Sequence, residues 1–402
     1  MIKLQGKYSE GIVYSDQYEE SGIKQIQDLL DEPFSQNSNP RFMPDYHAGL
    51  GSVIGTTMIV KDEICPNLVG VDIGCGIRTE IFETPYELDF KALDDYIRNN
   101  IPSGFKVHNK ERPMNFIDRL YMRNQIKDQS RLKKSMGTLG GGNHYIEIGK
   151  GERENEYILT VHSGSRNLGL QVANYYQKIA SSLSQDGVTT KSEEIIKSLK
   201  EQGREKEIAI ELKKIQENPN TSRGLETLKS NGKWFFEYLH DMNVCVEFAL
   251  ENRNVMAEKI LDFLKPKIIK GFDTVHNYIE LNEENHHILR KGAVAAYKGQ
   301  LLTIPMNMRD GILICEGLGN PQWNYSAPHG AGRLMSRNQA KTDIALEDYE
   351  ESMRGIFTTS VNKDTIDEAP FAYKPMKDII NYTKDTVKIL QHVKPMYNFK
   401  SK

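Results

Sequence analysis

The sequence predicts an α+β fold, a mixed β-sheet core interrupted by a helical insertion. Three observations carry that prediction. Strand-like runs of β-branched and apolar residues occur in two separated blocks, one ending near residue 164 and one resuming near 269. The intervening residues 167–262 are rich in Lys, Glu, Leu and Ala, keep helical periodicity and contain a single proline. Strands and helices are therefore grouped instead of alternating, which argues against a repeating βαβ unit. No internal repeat or low-complexity tract divides the chain, so residues 1–402 read as one domain carrying the 167–262 helical insertion.

Residues up to about 85 read as short strands joined by glycine turns, clearest at SVIGTTMIV (52–60) and GIRTEIF (76–82). Residues 89–100 and 115–128 space their apolar residues as helices do. GGGNHYIEI (140–148) and YILTVHSG (157–164) read as strands that run into polar loops. The helical block is predicted to split near ENPNTSRG (217–224), and its charge-rich part, 176–235, to be a solvated face. Strands return in IIKGFDTVHNYIEL, QLLTIPM and GILICEG, helices resume after APHGAGR (327–333), and QHVKPMYNFKSK reads as a final strand.

Composition removes several classes. The chain is 38% hydrophobic and 27% charged, with a formal net charge of −3, so no global basic excess announces nucleic acid. Its 52 Lys and Arg still allow a local basic groove. The first residues, MIKLQGKYSEGIVYSD, lack the apolar core of a signal peptide, and no apolar run is long enough to span a bilayer. A cytoplasmic protein without a membrane partner is expected. Four cysteines at irregular spacing make no disulfide framework, so each thiol is either buried filler or a ligand.

The chemistry concentrates at strand ends. In LVGVDIGCGIRTEIF, Asp72 and Cys75 sit three apart in a glycine-rich bend between strands. His144, His162 and His276 each end or interrupt an apolar strand before polar or small residues. A carboxylate, a thiolate and three imidazoles suit a borderline divalent metal such as Zn, Mn or Co. The set exceeds one open tetrahedral site. Because a cysteine sulfur bridges two metals and metal pairs clamp phosphate oxygens, a binuclear site acting on phosphates is suggested. In this reading the sheet core carries the metal site. Cys65, Cys245 and Cys315 read as buried small residues, and His47, His108, His240, His286, His287 and His392 as ordinary core or surface histidines. His329 lies in SAPHGAGR, where Gly330 and Gly332 let backbone approach a ligand and Arg333 adds a phosphate-matching fork; a tight turn before a helix is the equal alternative. No G-x-x-x-x-G-K-[ST] loop occurs, and KSNG (229–232) stands alone in the helical block.

Eight segments in order, MPDYHAGLGSVIG, GVDIGCGIRT, GTLGGGNHYIEI, VHSGSRNLG, VHNYIE, SAPHGAGR, DEAPFAYK and KPMYNFK, resemble the signatures of the RtcB RNA-splicing ligases. The resemblance runs from about residue 40 to 400 and is least specific in the helical block. It implies a catalytic domain that joins an RNA 3′-phosphate or 2′,3′-cyclic phosphate to a 5′-hydroxyl, using GTP and two Mn²⁺ ions. By the resemblance, Asp72, Cys75 and His144 would hold one ion and Cys75, His162 and His276 the other, with the thiolate bridging. His329 would be the nucleophile that accepts GMP covalently. Asn143, His144, Tyr145, Ile146, Glu147, His276, Asn277, Pro305, Met306, Asn307, Met308, His329, Gly330, Ala331, Gly332, Tyr373 and Lys400 would contact the guanylate. Asp45 would be a carboxylate near the site that orients a ligand. The partners would be RNA with those ends, GTP and, where one is required, an activating protein.

The chain departs from the family in one loop. PMNMRDG (Pro305 to Gly311) stands where the family commonly has PGSMG, and Ile312 replaces the serine that follows. The closing KG of the family is KSK here. These changes suggest a divergent subgroup, one devoted to RNA repair in place of tRNA splicing. Two other readings use the same residues: a binuclear metal phosphoesterase that opens cyclic phosphates without ligation, and a non-catalytic binder of RNA ends.

Overall fold

The computed structural model describes residues 1–201, 207–208, 224–282 and 287–401. The predicted split at 217–224 falls almost wholly outside the described residues, as does His286. Three sheets of three or more strands organise the chain. The first has six strands, in the order Ile2–Gln5, Glu10–Val13, Arg41–His47, Ile54–Val60, His287–Lys291 and Tyr278–Glu280. One pair, Glu10–Val13 with Arg41–His47, is parallel, which makes this sheet mixed. The central sheet has five strands, in the order Lys267–Val275, Gly76–Glu83, Glu156–Ser163, Tyr145–Lys150 and Pro395–Lys400. It is antiparallel throughout. The third sheet joins Leu301–Asn307, Gly311–Gly317 and Val387–Val393.

The helical block is part of the core. Helix Lys233–Leu264 buries Tyr238, Met242, Cys245 and Phe248 in the same cluster as Phe42, Tyr46 and Met58 of the first sheet. Its last turns place Met256, Ile260 and Leu261 against Phe82, Ile146 and Leu159 of the central sheet. Each such side chain stabilises the fold by roughly 1.5–3 kcal/mol, so the helix fastens two sheets together. The expected solvated face at 176–235 is corrected accordingly: Tyr176, Ala180, Leu225, Leu228 and Phe235 are core residues. Among the described residues, no helix is long and apolar enough to cross a membrane.

Three further expectations change. Helix Glu20–Leu30 lies within the stretch read as strands only; it buries Ile23, Ile26, Leu29 and Leu30 on one face. The expected helix over 115–128 shrinks to Phe116–Arg119 and a single turn at Arg123–Gln125, and a regular helix follows at Gln129–Ser135. The reason is a tertiary contact: the buried Asp241 carboxylate accepts the N–H groups of Tyr121 and Met122 at 2.8 and 3.1 Å and holds the chain open there. The final strand is two strands, Val387–Val393 in the third sheet and Pro395–Lys400 in the central one.

Candidate functional site

The central sheet brings the five predicted ligands to one end. Strand Gly76–Glu83 pairs with Lys267–Val275 so that Gly76 faces Val275, and the His276 N–H donates to the Cys75 carbonyl at 2.8 Å. On its other side Ile77 faces His162, which in turn faces Tyr145. The bend before Cys75 depends on Gly74, at φ +72°; a Cβ there would lie 2.7 Å from the backbone of Val246 in helix Lys233–Leu264. The sulfur of Cys75 lies 3.4 Å from His144 Nε2 and 3.3 Å from His162 Nε2. His162 Nε2 is 3.3 Å from His276 Nε2, and His144 Nε2 is 3.1 Å from Asp72 Oδ2. Two groups result, Asp72–Cys75–His144 and Cys75–His162–His276, each with its ligand atoms within 4.8 Å of one another and both sharing the sulfur.

The donors are prepared for a cation. His144 Nδ1 and His162 Nδ1 sit 2.9 and 3.1 Å from the carbonyls of Leu139 and Asn143, which makes each Nδ1–H a donor and turns Nε2 to the centre. Burial, reinforced by the neighbouring imidazoles, lowers the His162 and His276 pKa values well below the usual range, so both rings are neutral and able to ligate. Burial works to raise the Asp72 carboxyl, but the hydrogen bond and charge of His144 with the charge of Arg166 outweigh it and hold it at about 2. Burial and the Asp72 charge push the Cys75 thiol well above its usual value. A divalent cation reverses that, because a coordinating thiol gives up its proton. The donor set therefore fits a metal pair.

Two residues of helix Lys233–Leu264 lock the ligand-bearing loops. Arg253 is wholly buried; it donates to the carbonyls of Gly74 and Ser163 at 2.8 Å each and forks onto Asp273 of the His276 strand at 2.7 and 3.0 Å. Asn252 accepts from the N–H groups of Gly137 and Thr138, and donates to the carbonyls of Thr138 and Gly164 and to Ser163 Oγ. The segments before Cys75, after His162 and before His144 are thus tied to one helix turn. Arg166, at φ +58°, turns back over Gly140 and lies 3.4 Å from His144 Nδ1.

His329 stands beside this centre, its ring 4.8 Å from that of His276. Its Nδ1 is 2.7 Å from Oδ2 of the fully buried Asp45. The Asp45 loop is braced by buried Lys374, which donates to the carbonyls of Pro44 and Tyr46 at 3.0 and 2.9 Å. Gly332, at φ +75°, packs on the Asp45 backbone so closely that a Cβ would lie 2.3 Å from its carbonyl oxygen. Of the two readings of SAPHGAGR, the fold shows the turn ahead of a helix. The helix begins at Arg337 with Ser336 as its cap, while the Ala331 N–H donates to the Pro305 carbonyl at 3.0 Å. The Arg333 fork is also engaged, on the carbonyls of Met335 and Asp367 and on Glu368.

A cleft of about 690 Å³ opens over these residues. It is lined by Asn143, Tyr145, Glu147, Pro305, Met306, Asn307, Met308, His329, Gly330, Ala331, Gly332, Tyr373 and Lys400, all predicted guanylate contacts, and by His162, one of the predicted metal ligands. Ile146 is not among them: strand alternation turns it into the core with Leu159 and Phe399. His144 and His276 lie deeper, in the ligand groups. Asn277, at φ +68°, supports the bend by donating to the Asp72 carbonyl and accepting from the Gly292 N–H. In the departing loop, Asn307 accepts the N–H groups of Arg309 and Asp310, closing a turn on itself. Ile312 packs with Ile158, Ile314 and Val393 away from the cleft. His47, read as ordinary, lines the cleft; burial lowers its pKa to about 4.

One wall of the cleft is a charged network that spacing did not reveal. Glu368 accepts from Lys400 Nζ, from Tyr373 Oη at 2.6 Å and from Arg337 at 2.6 Å. Burial alone would raise its carboxyl, yet Lys400 and Arg337 hold it at about 2. Nearby Glu147 is pushed up to about 8 by burial, against the hydrogen bond from Asn398 and the charge of Lys400. The Glu368 pKa is depressed, so its stabilisation is fully present above the unfolded value of 4.5 and is lost as pH falls towards 2. Glu368→Gln is expected to lower unfolding free energy at neutral pH by on the order of 3 kcal/mol. Denaturation of both proteins across acid pH checks this: the gap should narrow below the unfolded carboxyl pKa, and a constant gap would refute the assignment.

An α+β protein with two sulfur-sharing ligand groups beside a cleft that His162 and His329 line is the class that fold and site define. The family model described as tRNA-splicing ligase RtcB matches residues 25–124 and 117–401, and the chain belongs to the RtcB family. The RNA-splicing ligase RtcB of Escherichia coli strain K12 is 30% identical over 388 residues, covering 87% of this chain and 86% of its own. The tRNA-splicing ligase RtcB of Aeropyrum pernix is 26% identical, covering 83% and 81%. The RNA-splicing ligase RtcB2 of Escherichia coli strain ATCC 25922 is 24% identical, covering 84% and 81%.

Proposed function

We propose that the chain is a GTP- and Mn²⁺-dependent RNA ligase. It joins RNA 3′-phosphate or 2′,3′-cyclic phosphate ends to 5′-hydroxyl ends through a guanylate on His329, in RNA repair or tRNA splicing. The observation that carries this reading is a juxtaposition: a carboxylate-held histidine lies 4.8 Å, ring to ring, from a ligand of the sulfur-sharing groups, at one cleft. Family membership supports it. The cleft volume of about 690 Å³ suits a nucleotide.

The residues divide the work. The Nδ1–H of His329 donates to Asp45, which leaves the Nε2 lone pair to attack the α-phosphorus of GTP. A P–N bond forms, the bond to pyrophosphate breaks, and Asp45 stabilises the charge that develops on the ring. A 2′,3′-cyclic end is first opened by water, which adds to phosphorus as the P–O2′ bond breaks and the 2′-oxygen takes a proton; an oxygen of the resulting 3′-phosphate then attacks the guanylate phosphorus and returns His329. The 5′-hydroxyl oxygen then attacks the RNA phosphorus, losing its proton as GMP leaves. Two divalent ions held by Asp72, Cys75, His144, His162 and His276 would supply Lewis-acid stabilisation of the phosphate oxygens. Asn143, Glu147, Tyr373 and Lys400 give the guanosine its polar contacts.

The test is incubation with α-phosphate-labelled GTP and Mn²⁺, then denaturing electrophoresis and peptide mapping. An acid-labile, alkali-stable label on the peptide bearing His329, discharged by RNA with a 3′-phosphate, is expected. No label from GTP or ATP, with cyclic phosphate still opened, would replace this reading by the phosphoesterase.

A further inference from the structure

One strongly charged surface next to the ligand groups has no role in the chemistry above. Residues 105–134 carry nine Lys or Arg against three Asp or Glu, in a chain whose totals are 52 and 55. The excess is gathered by the fold. The carbonyl of Phe105 accepts from Arg131, and the N–H groups of His108 and Arg112 donate to the carbonyls of Lys134 and Lys133 at 3.0 and 3.3 Å. The loop from Phe105 therefore lies along helix Gln129–Ser135. Lys106, Lys110 and Arg131 are exposed there, and among the described residues none of them forms an ion pair with a carboxylate. At their centre the ring of Phe105 is 94% exposed, which burial energetics leave unexplained.

This ledge is continuous with the ligand groups. The Gly104 N–H donates to the Gly140 carbonyl at 2.9 Å, and the Leu139 N–H donates to the Pro102 carbonyl at 2.9 Å. Gly140 is covered by Arg166: a Cβ at Gly140 would lie 2.1 Å from its Nη1. Arg166 reaches His144, and its buried Nε has no partner. Positive charge thus runs from Arg166, beside His144, to Lys106 and Arg131, with one bare aromatic ring among the cations. That pairing of phosphate-tracking cations with a stacking platform is the physics of single-stranded nucleic-acid binding.

We infer that this ledge carries the single-stranded RNA arm as it leaves the ligand-group end of the cleft, with a base stacked on Phe105 and phosphates on Lys106, Lys110 and Arg131. The inference rests on the RNA-ligase reading for its substrate, and its test does not need ligation. Fluorescence anisotropy of a short single-stranded RNA with 5′-hydroxyl and 3′-phosphate ends, without GTP, reads binding to the full chain directly. Phe105→Ala should raise Kd about tenfold, as loss of one stacked base does. The double variant Lys106→Glu with Arg131→Glu should weaken binding further and reduce the slope of log Kd against log salt by about 1.4, two single-strand phosphate contacts. Lys61→Glu with Lys298→Glu changes net charge equally at exposed positions elsewhere and should leave Kd within about twofold. Wild-type affinity in the ledge variants, or equal weakening in the remote pair, would overturn the inference. A wild-type chain that fails to ligate while the ledge variants still lose RNA would sink the ligase reading and leave the ledge standing.

Discussion

The Cys75→Ser variant is expected to lose both bound metals together and at least about 10³-fold in ligation rate. The geometry makes this a stronger change than any other single ligand substitution. Cys75 is the one atom common to both ligand groups. Asp72 and His144 serve one group only, and His162 and His276 the other. Serine keeps the size, so the buried bend is preserved and thermal unfolding without metal should shift little. Its hydroxyl stays protonated where a thiol would ionise, so no anion offsets two cations. Metal content after gel filtration and Mn²⁺ titration by calorimetry measure the effect apart from activity. Asp72→Asn and His276→Ala should each weaken one site and spare the other. Retention of two ions and near-native ligation by Cys75→Ser would end the bridging assignment.

The ligand set was legible because its members lie at strand ends beside glycine or small polar residues. Cys75 and His144 immediately precede strands Gly76–Glu83 and Tyr145–Lys150, His162 lies one residue from the end of Glu156–Ser163, His276 follows Lys267–Val275, and Asp72 sits in the glycine bend before Cys75; an antiparallel sheet gathers such ends on one rim. Ile146 shows the limit of a carried-over contact: period-two alternation already placed it on the opposite face from Tyr145 and Glu147. Asn252 and Arg253 were invisible for the opposite reason. They interrupt the apolar face of a helix, and only tertiary packing shows that their polar groups end on Gly74, Thr138 and Ser163. Arg166 lies inside VHSGSRNLG, yet nothing in its spacing announces a positive φ and a fold back over Gly140. Glu368 became visible only when Lys400, far along the chain, reached it. Helix Glu20–Leu30 was missed because strand signals on either side dominated the local pattern.

The Asp45→Asn variant is expected to slow guanylylation of His329 by about 10³- to 10⁴-fold while keeping the fold and the metals. The carboxylate accepts the Nδ1–H of His329 at 2.7 Å and is itself wholly buried. It therefore fixes the tautomer in which Nε2 has the free lone pair, and it neutralises the ring once phosphorus is attached. An amide of the same shape donates as readily as it accepts. Where its NH₂ faces Nδ1, the proton moves to Nε2 and the nucleophile is lost. Deprotonation cannot repair this, because the fault is in which nitrogen carries the proton. Raising the pH should leave the variant slow, which separates a tautomer defect from a simple change in acidity. Single-turnover labelling with GTP across pH, beside metal content and melting temperature, makes the measurement. A loss smaller than about tenfold, or recovery at alkaline pH, would mean that Asp45 braces the loop with Lys374 and Gly332 and does not set the state of His329.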